Sequence, residues 1–455
     1  MQDLTTGSLS RHLLTTSSFM LVSMVFQTLY VLVDLYWVSR LGTSAVAAVA
    51  VSGNFMFVVL AATQMLGVGT TTLISHAVGA RDHARAQTVF NQAQALSAGV
   101  GVLFLAAAMA TRTLYADGLS ADAETAALAR DYLLWFIPAM AGQFGLVAMG
   151  AALRGTGAFR PGMVVQIATV VLNMALAPLL MFGWGPVPAL GVAGTAIATL
   201  IAIVVGNAWM AGYFLRAGSY LRFAPREWRP QPPLCKELLK IGLPAGGEFV
   251  LLAIYMAVIY VVSRPFGAAA QAGFGIGGRV MQALFMPAVA LGFAVAPVAG
   301  QNYGARRADR VRQTFRVAAG MAAGVMLAVT LLVFFGGAQT MRVFSNDPAV
   351  IAVGAEYLRI ISLTFVLSGV VFVSSSMFQA LGNSVPPLLT SLVRNVAVIG
   401  PVLLLARASG FALVWVWYIA AGSTVLHITL NLLLLRREFR RRLAFAEPTA
   451  TPALR

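Results

Sequence analysis

Apolar runs long enough to cross a bilayer fill almost the whole of this sequence, and that feature decides its fold class. A span needs roughly 20 predominantly apolar residues. Twelve such runs lie at about 13–38, 53–77, 87–111, 126–152, 161–183, 189–215, 238–263, 270–299, 312–336, 349–379, 386–406 and 411–435. A β-barrel is excluded, because its strands would show only roughly ten alternating residues each. Only 10% of the residues are charged and 59% are hydrophobic, whereas a soluble domain carries roughly 25% charged residues. One globular core could not hide so much apolar surface, so lipid must be the solvent. The expected fold is an all-α membrane protein with twelve transmembrane helices.

A net charge of +16 would suggest nucleic acid in a soluble chain. The distribution of that charge gives a simpler reason. The N-terminus, the even-numbered loops and the C-terminal tail hold 22 of the 31 Lys and Arg residues, and the other loops hold 7. Arg279 and Arg394 lie within spans. By the positive-inside rule this split puts both termini in the cytoplasm, with no call for a nucleic-acid partner. The first run is of full span length and contains Asp34, so no cleavable signal peptide is expected. Cys235 is the single cysteine, which excludes an intramolecular disulfide and a cysteine-based metal site. His12, His76, His83 and His427 show no ligand spacing. The preference for Arg over Lys, with many Ala and Gly, hints at a bacterial source and hence a bacterial inner membrane.

The chain repeats itself at an offset of 225. "GARDHARAQTVF" at 79 matches "GARRADRVRQTF" at 304, and Gly42/Gly267, Gly157/Gly382 and Pro161/Pro386 share that spacing. Six spans fit one repeat, and an even number preserves orientation. The halves are therefore parallel six-helix lobes related by an axis along the membrane normal. The expected division is 1–220 for the first lobe, 221–237 for a Pro-rich charged linker, 238–440 for the second lobe and 441–455 for a tail. Parallel repeats put a cavity between them near the midplane, as alternating access requires. No Walker A, HExxH or nucleophile–base pair is present, so the chain reads as a transporter driven by a gradient, not as an enzyme.

Only two of the 15 acids, Asp34 and Glu248, lie clearly inside apolar runs. Each costs about 2.5–3.5 kcal/mol or more at a helix centre, so each needs a partner or a function. Ser23, Gln27, Tyr30 and Asp34 are spaced 4, 3 and 4, which puts them on one helix face. Such a polar stripe should look into a cavity; the alternative is a carboxylate that ties helices together. Glu248 follows "LPAGG" in the seventh span and reads either as functional or as an acid capping or pairing near the inner interface. Asn173, Thr195 and Thr199 are hydrogen-bonding groups in the same membrane half as Asp34. Ser and Thr in spans usually bond to backbone, yet as a set around one carboxylate these three gain weight. Arg394, about eight residues into its span, reads as a cavity residue or as one snorkelling to the cytoplasmic face.

"YVLVDLYWVSRLGTSAVAA", "GARDHARA", "GARRADRV", "LRGTGAFRP", "ALGNSVPP" and "KIGLPAGGE" resemble the multidrug and toxic compound extrusion (MATE) transporters, over essentially the whole chain. The resemblance implies a monomeric antiporter that expels organic, often cationic compounds as protons or sodium ions enter, with no other cofactor. By position it implies cation coupling at Asp34, surrounded by Tyr30, Asn173 and Thr195. Ser23, Gln27, Thr199, Glu248 and Arg394 are the expected substrate-cavity residues. Two departures bear on the ion. Some members carry a second acid where this chain has Ala177, and sodium-coupled members carry a tenth-span Asp where it has only Ser374, Ser375, Ser376 and Gln379. Hard cations want several oxygen ligands, so proton coupling is favoured over sodium. The alternative within the same larger group is a flippase for lipid-linked precursors. That would call for a strongly cationic cavity, to which only Arg394 and Arg279 could contribute.

Overall fold

A computed structural model describes residues 2–53, 55–186, 188–216, 218–406, 408 and 410–445. Fourteen α-helices account for the spans: α1 Leu9–Ser39, α2 Thr43–Gly53, α3 Phe55–Gly79, α4 His83–Leu119, α5 Ala123–Gly155, α6 Phe159–Phe182 and α7 Gly191–Leu215, then α8 Pro232–Ser263, α9 Ala268–Gly304, α10 Ala308–Arg342, α11 Pro348–Ser362, α12 Phe365–Ala380, α13 Val385–Leu405 and α14 Leu413–Arg442. Eleven apolar elements are each long enough to cross a bilayer, with Thr43–Gly79 counted as one, and α11 with α12 supplies a twelfth. The second span begins ten residues before the expected 53. The tenth, expected as one run over 349–379, is bent by 57° between Ser362 and Phe365. Its apolar composition is continuous, so hydropathy alone carries no mark of the bend. Several helices reach 35–37 residues, about 53–56 Å at 1.5 Å per residue, and so project well beyond a hydrocarbon core of about 30 Å.

The 225-residue repeat is visible in the backbone as well as in the residue types. Left-handed φ values recur at Gly42 and Gly267 (108° and 88°), Arg81 and Arg306 (59° and 55°), Gly157 and Gly382 (76° and 74°), and Gly185 and Gly410 (60° and 88°). The turn bonds recur too. Arg81 N donates to the Val78 carbonyl and Asp82 N to Ala77, as Arg306 N does to Tyr303 and Arg307 N to Asn302. Each pair closes a helix C-terminus by the same cap. The two halves thus share a turn grammar even where their side chains differ.

Packing divides the membrane into two unlike halves. On the side away from the chain termini the buried cores are separate. One joins Val38 and Ala48 to Ile203 and draws on the first repeat alone; the other joins Tyr255 and Ile259 to Trp417 and draws on the second alone. On the terminus-bearing side the cores mix. Leu4, Leu9 and Leu13, leading into α1, pack with Leu291, Val298 and Phe378 of the second repeat. Leu238 and Ile241 at the start of α8 pack with Leu73, Phe90 and Phe214 of the first. Helices α1 and α8 therefore begin in one lobe's core and end in the other's. The lobes share buried cores at the terminus-bearing face, and towards the far face each keeps a core of its own.

The connection between the lobes is tied down. Residues Pro225–Trp228 form a 3₁₀ turn that lies on α4. Asn91 Oδ1 accepts from Ala224 N at 2.9 Å and from Trp228 Nε1 at 3.1 Å. Gln92 donates to the carbonyls of Glu227 and Arg229 and accepts from Gln231 N. Both side chains are fully buried, as amides with several such bonds must be. Residues 446–455, most of the expected tail, lie outside the described residues.

Candidate functional site

Asp34 lies five residues before the end of α1, in the half of the membrane where the lobes have parted. Thr195 Oγ1, four residues into α7, donates to Asp34 Oδ1. Thr199 lies one turn further along α7, and its hydroxyl donates to the Thr195 carbonyl at 3.0 Å. That hydroxyl also accepts from Asn173 Nδ2 of α6 at 2.9 Å and lies 3.3 Å from the Tyr30 hydroxyl. Five side chains from α1, α6 and α7 thus form one connected network around a single carboxylate. Thr195, Thr199 and Asn173 are buried, while Asp34 and Tyr30 are partly accessible.

Two acceptor positions in this network remain open. Asp34 Oδ2 receives no hydrogen bond among the described residues, and Asn173 Oδ1 is buried without a partner. An ionised carboxylate with one satisfied oxygen is costly in a low-dielectric setting. A proton or a cationic group at the free oxygen would offset that cost. The network therefore has the chemistry of a site where a proton and a cation compete.

The remaining stripe residues behave differently. Ser23 is buried, but its hydroxyl bonds back to the Phe19 carbonyl at 3.0 Å within α1. Gln27 is exposed. The nearby Thr28 hydroxyl lies 3.9 Å from the Met286 sulfur of α9, a contact across the lobes. Glu248 sits on α8 beside Gln379, and its Oε1 is buried without a partner among the described residues. Arg394, on α13, turns its guanidinium over the Tyr255 ring, 4.9 Å from the centroid.

The closure at the terminus-bearing face was not legible from any motif. His76 Nε2 donates to the Ala380 carbonyl at 2.6 Å, and Gln301 Nε2 donates to the Gly155 carbonyl at 3.0 Å. Both donors and both acceptors are related by the 225-residue offset, so the two bonds are one contact repeated around the pseudo-twofold axis. Thr72 Oγ1 adds a bond to the Gln379 carbonyl at 3.0 Å. Gly79 lies against the Gln301 carbonyl and Gly304 against that of His76, which is why neither position has room for a side chain. The signal was available: polar His76 and Gln301 occupy matching places just before matched glycines.

A profile of the MatE family matches residues 20–179 and 244–404. The multidrug export protein MepA of Staphylococcus saprophyticus is 26% identical over 421 residues, 92% of each chain. The probable multidrug resistance protein YoeA of Bacillus subtilis is 28% identical over 415 residues, 90% of this chain and 89% of that one. An outward-facing multidrug resistance MATE family transporter of the MOP superfamily superimposes with a TM-score of 0.89 at 25% identity, covering 98% of each chain. A MATE in its bent conformation gives 0.90 at 25% identity, covering 96% of this chain and 97% of that one.

Proposed function

The chain belongs to the MatE family of multidrug and toxic compound extrusion transporters, and from that premise we propose that it is a proton-coupled antiporter expelling organic cations. One relative is a multidrug export protein and another a probable multidrug resistance protein; the ion and the substrate charge are read from this chain's own site. One observation carries the reading: Asp34 is held at one oxygen by Thr195 and open at the other, in the membrane half where the two lobes keep separate cores. With the positive-inside split, that face is the outside of the cell membrane and both termini are cytoplasmic.

The cycle follows from charge alone. With the cleft open outwards, a proton reaches Asp34, neutralises it and displaces a bound cation. The neutral carboxyl stays hydrogen-bonded to Thr195, so the lobes can rock without moving a bare charge through the bilayer. Once the cleft opens inwards, the proton leaves to the cytoplasm and the carboxylate takes up a cationic substrate. Proton and substrate thus bind the same group with opposite effect, which is the coupling that antiport requires. Among the described residues Asp34 is the one fixed charge of this network, which favours protons over sodium.

The test uses protein reconstituted in liposomes with a fluorescent organic cation. Wild type should move the dye against an imposed pH gradient and stay idle under a sodium gradient alone. Asp34→Asn should lose gradient-driven flux while keeping its elution profile and thermal stability. Undiminished flux in that variant would overturn the assignment.

A further inference from the structure

The second lobe contains a polar centre in the place that matches the Asp34 network, with the charge reversed. Helices α1, α6 and α7 correspond by repeat to α8, α13 and α14. Tyr255 is the counterpart of Tyr30 at offset 225, and Thr424 is that of Thr199. Even a detail is conserved between them: Thr424 Oγ1 donates to the Ala420 carbonyl at 3.0 Å, as Thr199 does to Thr195. Yet Asp34 has Ile259 as its partner, and the fixed charge of the second centre is Arg394.

Arg394 is nine residues into α13, about 13–14 Å along the axis at 1.5 Å per residue. That is close to half the hydrocarbon thickness. Its guanidinium is held inwards over the Tyr255 ring and makes no ion pair among the described residues. Glu248, partly buried, lies seven residues before Tyr255 on α8, about 10 Å lower along the axis. The face that α14 turns inwards adds Trp417, Thr424, His427 and Asn431, each buried. Among the described residues Trp417 Nε1, His427 Nε2 and the Asn431 Oδ1 acceptor have no hydrogen-bond partner. His427 is within electrostatic range of Arg394. Trp417 packs on Tyr357 with ring centroids 4.8 Å apart, and Tyr357 lies in turn within electrostatic range of Tyr255 and Arg394.

A permanent cation with no ion pair among the described residues and an unsatisfied His427 ring nitrogen beside it are costly inside a membrane. An acceptor bearing negative charge would satisfy both. We propose that the α8/α13/α14 centre is a second ligand site, which takes a monovalent anion: a carboxylate carried by a substrate, or chloride from solution. Arg394 supplies the charge and a planar fork suited to a carboxylate, Tyr255 holds that fork in place, and His427 completes the donor set. The site stands apart from the cation site, and the two lobes together offer one pole of each sign.

Binding of radiolabelled benzoate and of radiolabelled chloride to the purified full-length protein in detergent tests this directly, without reference to transport. Wild type should bind one of the two probes saturably, and which one identifies the source of the anion. Arg394→Gln should weaken that binding at least tenfold, Arg394→Lys less, and Asp34→Asn should leave it unchanged. His427→Ala should weaken it severalfold, which keeps the question open to test if Arg394→Gln fails to fold. Failure of the Asp34 reading would appear in cation flux alone and would leave these results standing. Absence of saturable binding of either probe, or equal binding by Arg394→Gln of normal elution profile, would overturn the proposal.

Discussion

Placing a methyl group at both Gly79 and Gly304 should drive the lobes apart at the terminus-bearing face. A Cβ at either position would fall on a backbone carbonyl of the opposite lobe, that of Gln301 or His76. A carbonyl in a helix cannot rotate away like a side chain, so the helices must separate. Separation breaks three bonds between the lobes: His76 to Ala380, Gln301 to Gly155 and Thr72 to Gln379. At about 1 kcal/mol each, the loss is about 3 kcal/mol. A ligand-free two-state equilibrium responds by about 150-fold for that difference, since about 1.4 kcal/mol is a factor of ten. The assay is the rate at which an impermeant maleimide, applied from outside, labels Gln27→Cys in a Cys235→Ser background. Gln27 is exposed and shares the helix face of Tyr30 and Asp34, and Cys235 is the chain's only cysteine. Gly79→Ala/Gly304→Ala should cut that rate at least tenfold. An unchanged rate in double-mutant protein of normal elution profile would refute the idea that these contacts hold the outward-open state.

Two further outcomes follow from the structure. Thr195→Val removes the donor to Asp34 while keeping shape; a hydrogen bond to a charged group contributes about 1.5–3 kcal/mol, so cation affinity measured by dye titration should fall about 10- to 150-fold, and Thr195→Ser should restore most of it. Arg81 and Arg306 hold left-handed backbone that costs a residue with a Cβ about 1–2 kcal/mol, and neither side chain makes a hydrogen bond or ion pair among the described residues. Arg81→Gly and Arg306→Gly should therefore each raise the thermal midpoint in detergent; a fall would show that their charges contribute more than the strain costs.

The sequence by itself determined the solvent, the number of spans and the existence of two halves. Those properties are local or periodic: apolar length fixes a span, and a repeated loop such as "GARDHARA" and "GARRADRV" fixes a register. Membership of the family could be read from the same loops. Asp34 stood out for an equally local reason, since a carboxylate inside an apolar run is expensive wherever that run ends up.

Tertiary structure alone decided what those residues meet. Thr195 reaches Asp34 across 161 residues, and Ser23, on the same sequence stripe, turns to its own backbone instead. Helical spacing says which residues share a face, but not which neighbouring helix presents a donor to it. The bend at Ser362–Phe365 and the crossing of α1 and α8 between lobes have no hydropathy signature, because every alternative path through lipid is equally apolar. The same limit kept Arg394 ambiguous: span position allowed it to reach for the interface, and only packing turned it onto Tyr255. Apolar pattern therefore chose the architecture, while the few polar groups acquired their roles from contacts that only the folded lobes create.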